Sequence, residues 1–135
     1  MADKRIQKEY QNLTTQDNQD GIRVRLVNND FRRWKAYING PDNSVYEKGT
    51  YEIDITIPQD YPYKPPKMQF ATKIWHPNVS SQTGVICLDI LKDEWSPALS
   101  IRTSLLSIQA LMCSPEPSEL IRLPPGQRGR RDVQD

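Results

Sequence analysis

The chain has 135 residues, enough for one domain with a real core. Eighteen Lys and Arg against 17 Asp and Glu leave a formal net charge of +1, which removes the usual electrostatic case for a nucleic-acid binder. No apolar run approaches membrane-spanning length and the N-terminus is charged, so neither a membrane span nor a signal peptide is expected.

Two cysteines, Cys87 and Cys113, make no disulfide framework, and a cytoplasmic or nuclear setting is the default expectation. One His and two separated cysteines give no zinc-ligand spacing, so no metal is expected. No internal repeat is visible.

In chain order, Asp3 to Leu13 reads as an amphipathic helix, with Ile6, Tyr10 and Leu13 on one face and Lys4, Arg5, Lys8 and Glu9 largely on the rest. Thr14 to Gly21 is a polar loop. Ile22 to Val27 alternates apolar and basic residues, as a half-buried strand does. Asn28-Asn29-Asp30 is turn chemistry. A second strand carries Trp34, Ala36 and Ile38, and Gly40-Pro41-Asp42-Asn43 ends it. A third carries Tyr51, Ile53, Ile55 and Ile57 on one face and stops at Pro58; a shorter fourth holds Met68 and Phe70. Short connections favour an antiparallel meander. Between strands three and four, Tyr61-Pro62-Tyr63-Lys64-Pro65-Pro66 should be extended and stiff, with each tyrosine free to pack down or to project.

Ile74 to Leu91 holds the only histidine and one of the cysteines. Taken blind, a Cys in an apolar run is a small buried hydrophobe. As a nucleophile, the Cys87 thiolate would accept an acyl group as a reactive thioester. His76 is the one candidate base, and no spacing rule brings it to Cys87; its plainer reading is a ring pinned to the loop. Asn78 is either a turn residue or a side-chain amide for an oxyanion. Beyond a loop from Lys92 to Ala98, Ser100 is a helix N-cap, and Ile101, Leu105, Ile108, Leu111 and Met112 follow helical spacing. Cys113 near the end of that helix is expected to be buried and structural. The Pro- and Arg-rich residues 121–135 read as a disordered tail following a core at residues 1–120.

His76-Pro77-Asn78, followed nine residues after the Asn by Cys87 in Gly84-Val85-Ile86-Cys87-Leu88-Asp89-Ile90-Leu91, closely resembles the active-site signature of ubiquitin-conjugating enzymes (E2s). Lys4 to Glu9, Gly40 to Glu47, Tyr61 to Lys67 and Trp95 to Leu99 extend the resemblance from Met1 to about Leu120, and the stretches around His76 and Ile90 look most like the 25-kDa class. The resemblance implies an α/β (α+β) fold: an N-terminal helix, a four-stranded antiparallel meander, the active-site stretch and a central helix. It implies that an activating enzyme (E1), which consumes ATP, passes ubiquitin to Cys87. A lysine of a protein substrate then takes it, usually with a RING- or HECT-type ligase (E3). No bound cofactor is implied. It assigns oxyanion or loop support to Asn78, a structural role to His76 and Pro77, and lysine positioning to Glu119. Arg5, Lys8, Tyr63, Ser96, Pro97 and Ala98 match the surface for E1 and E3, which makes Tyr63 project and Tyr61 pack.

After Leu120 the sequence departs from the family pattern. Its prolines and glycines would not encode the two further helices of such a core, and the ubiquitin-associated domain of the 25-kDa class is not expected. Apolar surface on the central helix is therefore expected to be partly uncovered. The alternative function is a catalytically weak or inactive E2-like adaptor that binds E3 or ubiquitin. A cysteine hydrolase or redox protein is weakly supported, since there is no Cys-x-x-Cys and no assured base.

Overall fold

A computed structural model describes residues 2–15 and 21–113. The order is α1 (Ala2–Thr15), β1 (Ile22–Val27), β2 (Asp30–Asn39), β3 (Thr50–Thr56), β4 (Lys67–Phe70), one 3-10 turn over Asp89–Leu91, and α2 (Ile101–Cys113). The strands form one antiparallel sheet in the order β1-β2-β3-β4, the meander expected.

Register follows from the alternation of side chains. Trp34, Ala36 and Ile38 of β2 sit opposite Ile55, Ile53 and Tyr51 of β3, and Ile53 and Ile55 sit opposite Phe70 and Met68 of β4. Those side chains are all buried and form one apolar layer, because residues two apart on a strand share a face. The opposite face is polar: Lys35 of β2 pairs with Glu52 and Asp54 of β3. The β1–β2 hairpin turns at Asn28 and Asn29, with φ of 54° and 58°. Asn tolerates that left-handed region better than most residues.

Both helices add to the core. Ile6 and Leu13 of α1 are buried, and Tyr10 meets Phe31 and Trp34 edge-on at 5.7 and 5.3 Å. The N-cap of α2 is as read, with the Thr103 N–H donating to Ser100 Oγ at 3.1 Å. Ile101, Leu105, Ile108 and Met112 form its buried stripe. Cys113 corrects an expectation: it is exposed. One residue beyond Met112 lies about 100° around the helix, off the stripe. The tail at residues 121–135, with Ser118 and Glu119, lies outside the described residues.

Candidate active site

Past β4 the chain turns back along that strand's free edge. The Phe70 N–H donates to Gly84 O at 2.8 Å, and Gln69 bridges Val85. Ser80 closes the intervening turn: its Oγ accepts from the N–H groups of Gln82 and Thr83, and its carbonyl accepts from Gly84 at 2.9 Å. Gly84 is required here. Its φ is +81°, and a Cβ would lie 2.1 Å from Phe70 O.

From that anchored point the chain alternates. Ile86 is buried, whereas Val85 and Cys87 are exposed. The blind reading of Cys87 as a buried hydrophobe is thereby overturned: an extended segment points successive side chains to opposite sides, and Ile86 takes the inward one.

Cys87 and Asn78 are held together reciprocally. The Cys87 N–H donates to Asn78 O at 2.6 Å, and Asn78 Nδ2 donates to Cys87 O at 3.4 Å. Asn78 is fixed in turn by the histidine, its N–H donating to His76 Nδ1 at 3.0 Å. His76 Nε2 lies 2.8 Å from Leu111 O of α2. Since Nδ1 accepts, Nε2 carries the proton and donates. Both ring nitrogens are therefore engaged by backbone. The ring is buried and stacks on Tyr46 at 6.1 Å, while the Tyr46 hydroxyl donates to Trp75 O. Neither nitrogen is left to deprotonate Cys87, which removes the support for the hydrolase reading and favours the pinned-ring reading of His76. Pro77 joins His76 to Asn78 at the side of an apolar groove of about 840 Å³. Cys87, Pro66, Met68, Ile86 and Lys92 also line that groove. By sequence Lys92 is an ordinary loop residue. Its Nζ stands 3.5 Å from Cys87 Sγ, placed by the turn over Asp89–Leu91.

A second surface forms where two loops meet. Tyr61 is buried and Tyr63 is 79% exposed, as the resemblance implied. The Trp95 indole N–H donates to Pro62 O at 2.8 Å, which ties the tyrosine loop to the loop holding Ser96, Pro97 and Ala98, all exposed. Lys8 on α1 is exposed as well. Arg5 is committed inward: Nη1 donates to Pro97 O at 2.9 Å and Nη2 to Leu99 O at 2.6 Å. Glu9 gathers donors from three separate segments of the chain. Oε2 accepts from Arg5 Nε at 2.8 Å and from the Tyr61 hydroxyl at 2.7 Å, and Oε1 accepts from the Ile101 N–H at 2.9 Å. Burial, reinforced by the Glu9 carboxylate, holds the Tyr61 phenol above its ordinary range, so it remains a donor. The only early signal of this node was the i,i+4 spacing of Arg5 and Glu9.

Among the described residues no group of three or more His, Cys, Asp or Glu is placed to hold a metal. No described helix is long and apolar enough to cross a membrane. Glu119, the remaining candidate, lies outside the described residues.

Fold and site define an α+β domain that presents one cysteine beside an apolar groove without an assembled base. A family model described as ubiquitin-conjugating enzyme matches residues 5–128, and the chain belongs to that family. The match runs past Leu120, where the resemblance read from the sequence ends. Among curated relatives, ubiquitin-conjugating enzyme E2 27 of Arabidopsis thaliana is 56% identical over 115 residues, covering 85% of this chain and 60% of its own length. Ubiquitin-conjugating enzyme E2 K of Homo sapiens is 46% identical over 121 residues, covering 88% and 60%. The chain thus spans about three fifths of the length of these relatives. A solved E2 domain of a Toxoplasma gondii ubiquitin-conjugating enzyme superposes with a TM-score of 0.79 at 54% identity, covering 87% of this chain and 79% of that one.

Proposed function

We propose that this chain accepts ubiquitin from an activating enzyme as a thioester on Cys87 and passes it to a lysine amine of a protein substrate, with an E3 ligase assisting. The observation that carries this reading is the exposed Cys87 thiol, fixed through its backbone by Asn78, which is held in turn by a histidine whose nitrogens are both occupied. A hydrolase needs a base to activate water. An acyl carrier does not, because the incoming amine is itself the nucleophile.

In the charging step the Cys87 thiolate attacks the thioester of the activating enzyme, a new C–S bond forms and the donor thiolate leaves. In the discharge step the amine attacks that carbonyl, the C–S bond breaks and the amine's proton departs. The oxyanion formed between these events needs a donor. Asn78 Nδ2 is the group assigned to it, since its 3.4 Å contact with Cys87 O is long and readily exchanged. Glu119 is assigned to positioning the amine. The surface assigned to E1 and to RING- or HECT-type E3 comprises Lys8, Tyr63, Ser96, Pro97 and Ala98, with Arg5 acting by holding the second loop in place. ATP is consumed by the activating enzyme, and no cofactor is assigned to this chain. The setting proposed is the cytoplasm or nucleus, where the thiol stays reduced.

The test is a charging assay with E1, ATP and ubiquitin, run without reductant beside Cys87→Ser and Cys113→Ser. A reducible adduct that survives Cys113→Ser and disappears with Cys87→Ser is the expected result. A folded chain that forms no such adduct would move the assignment to a non-catalytic adaptor.

A further inference from the structure

The groove beside Cys87 takes part in neither transfer step, yet it is built like a binding site. Its volume of about 840 Å³ falls within the roughly 300–1,000 Å³ of small-molecule sites. Pro66, Met68, Ile86 and Leu91 give it an apolar lining, and the first three are buried. Val85 belongs to the same lining and is 53% exposed. Apart from Tyr63, no other large apolar side chain among the described residues is left so open. The charges around the groove are of one sign: Lys64, Lys67 and Lys92 are exposed there, and no Asp or Glu belongs to the described lining. Lys64 shares its charge with Asp60 at 3.6 Å. Lys92 Nζ, 3.5 Å from Cys87 Sγ, sets a cation directly beside the thiol.

We propose that this groove takes a long-chain fatty acyl thioester of coenzyme A and that Cys87 accepts its acyl group, a lipid modification of the same sulfur assigned to ubiquitin. Three parts of that molecule match three parts of the site. The hydrocarbon chain matches the apolar lining, where each methylene removed from water adds to binding. The phosphates match the lysines, whose uniform positive charge attracts an anion. The thioester meets the thiol. A neutral apolar ligand would leave the lysines without a role, and a hydrophilic anion would leave the apolar lining without one. In the transfer the Cys87 thiolate attacks the acyl carbonyl carbon, a new C–S bond forms and the bond to the carrier's sulfur breaks. Coenzyme A leaves as a thiolate and takes up a proton in place of the one that Cys87 gave to solvent. One thioester replaces another, so no further reactant is needed. Charge develops on the carbonyl oxygen during the attack, and the Lys92 ammonium beside the sulfur stabilises it. On the reading that Cys87 carries ubiquitin, the acylated chain is closed to charging until a thiol removes the acyl group.

The test incubates the whole chain, without E1, with three donors: palmitoyl-coenzyme A below its micelle concentration, acetyl-coenzyme A, and palmitoyl carried on N-acetylcysteamine, a neutral thiol. Intact mass follows the adduct in time, peptide mapping locates it, and hydroxylamine, which cleaves thioesters, identifies the bond. Wild type is compared with Cys87→Ser, Cys113→Ser, Val85→Asp and Lys67→Glu. Cys113 is also exposed and serves as the reference thiol within each molecule. The expected result is a hydroxylamine-sensitive palmitoyl group on Cys87, absent from Cys87→Ser and unchanged in Cys113→Ser. It should form about tenfold or more faster than palmitoyl on Cys113 or acetyl on Cys87, since burying two methylenes is worth about that factor. Val85→Asp should slow palmitoyl transfer more than acetyl transfer. Lys67→Glu should slow both coenzyme A donors about threefold or more and spare the neutral one, the scale of an exposed charge contact. Equal rates for palmitoyl and acetyl, equal labelling of Cys87 and Cys113, a rate indifferent to Lys67→Glu, or a hydroxylamine-resistant mark would each overturn the proposal. So would charging by E1 in a chain that takes no palmitoyl, and the proposed function would then stand. Palmitoyl transfer to a folded chain that E1 never charges would support the lipid site and count against the proposed function alone.

Discussion

Replacing Glu9 with alanine tests whether one carboxylate joins three separate parts of the molecule. Its oxygens accept from Arg5 on α1, from the Tyr61 hydroxyl in the proline-rich loop and from the first N–H of α2. Tyr61 is 1% and Ile101 0% exposed, so alanine leaves two donors with little access to water. Each orphaned donor costs about 1–3 kcal/mol. Arg5 is partly exposed, and its loss adds at most about 1 kcal/mol. Water entering the vacated space recovers part of this, so we expect Glu9→Ala to destabilise by about 2–5 kcal/mol. That is a large share of a typical margin of about 5–15 kcal/mol. Urea unfolding followed by tryptophan fluorescence would register a midpoint lowered by about 1–2.5 M, given a slope of about 2 kcal/mol per M. A cycle with Tyr61→Phe isolates the hydroxyl contact and should show coupling of about 1 kcal/mol. A loss below about 0.5 kcal/mol, within the scatter of ordinary surface changes, would refute the three-way tie.

Further outcomes follow from the same geometry. His76→Ala should cost about 2–4 kcal/mol in thermal or urea melts, because it strands the Asn78 N–H and the Leu111 carbonyl. Charging normalised to folded protein should then change little, whereas a drop of about a hundredfold would restore the ring as a base. Asn78→Ala should still form the thioester but discharge to free lysine about a hundredfold more slowly in single-turnover gels. Gly84→Ala, at φ +81° with its Cβ 2.1 Å from Phe70 O, should lose more than about 1 kcal/mol. Burial holds the Tyr46 and Tyr61 phenols above their ordinary value, so above about pH 10 the unfolded chain releases protons that the folded one keeps. These two phenols contribute no pH dependence below about pH 10 and lower stability as pH rises beyond it, as urea midpoints from about pH 9 upward would show.

The meander was legible because period-two patterning is strong where one face is apolar. Tyr51, Ile53 and Ile55 announce β3, and the structure buries all three. The Ser100 cap was legible for a similar reason, since its hydrogen bond is local. What escaped the sequence was long-range. Nothing in local pattern says that His76 reaches Leu111, 35 residues on, or that Glu9 reaches Ile101 across 92. Nor does composition show that Lys92 folds back on Cys87. Periodicity also misled at the cysteines. Cys87 and Cys113 both sit in apolar runs, yet each falls on the outward side of its own segment, where helix or strand phase outweighs hydrophobicity.

The short β4 strand has a wider consequence. An open strand edge offers unpaired backbone groups to any other chain, and such edges seed aggregation. Here that edge is occupied by the segment leading to Cys87, through the Phe70–Gly84 hydrogen bond and the Gln69–Val85 bridge. The segment that presents the thiol is therefore also the guard of the sheet. A change that loosens it, at Gly84 or Ser80, should be seen in cells less as a slow protein than as an insoluble one. Loss of chemistry and loss of solubility would then share a single cause.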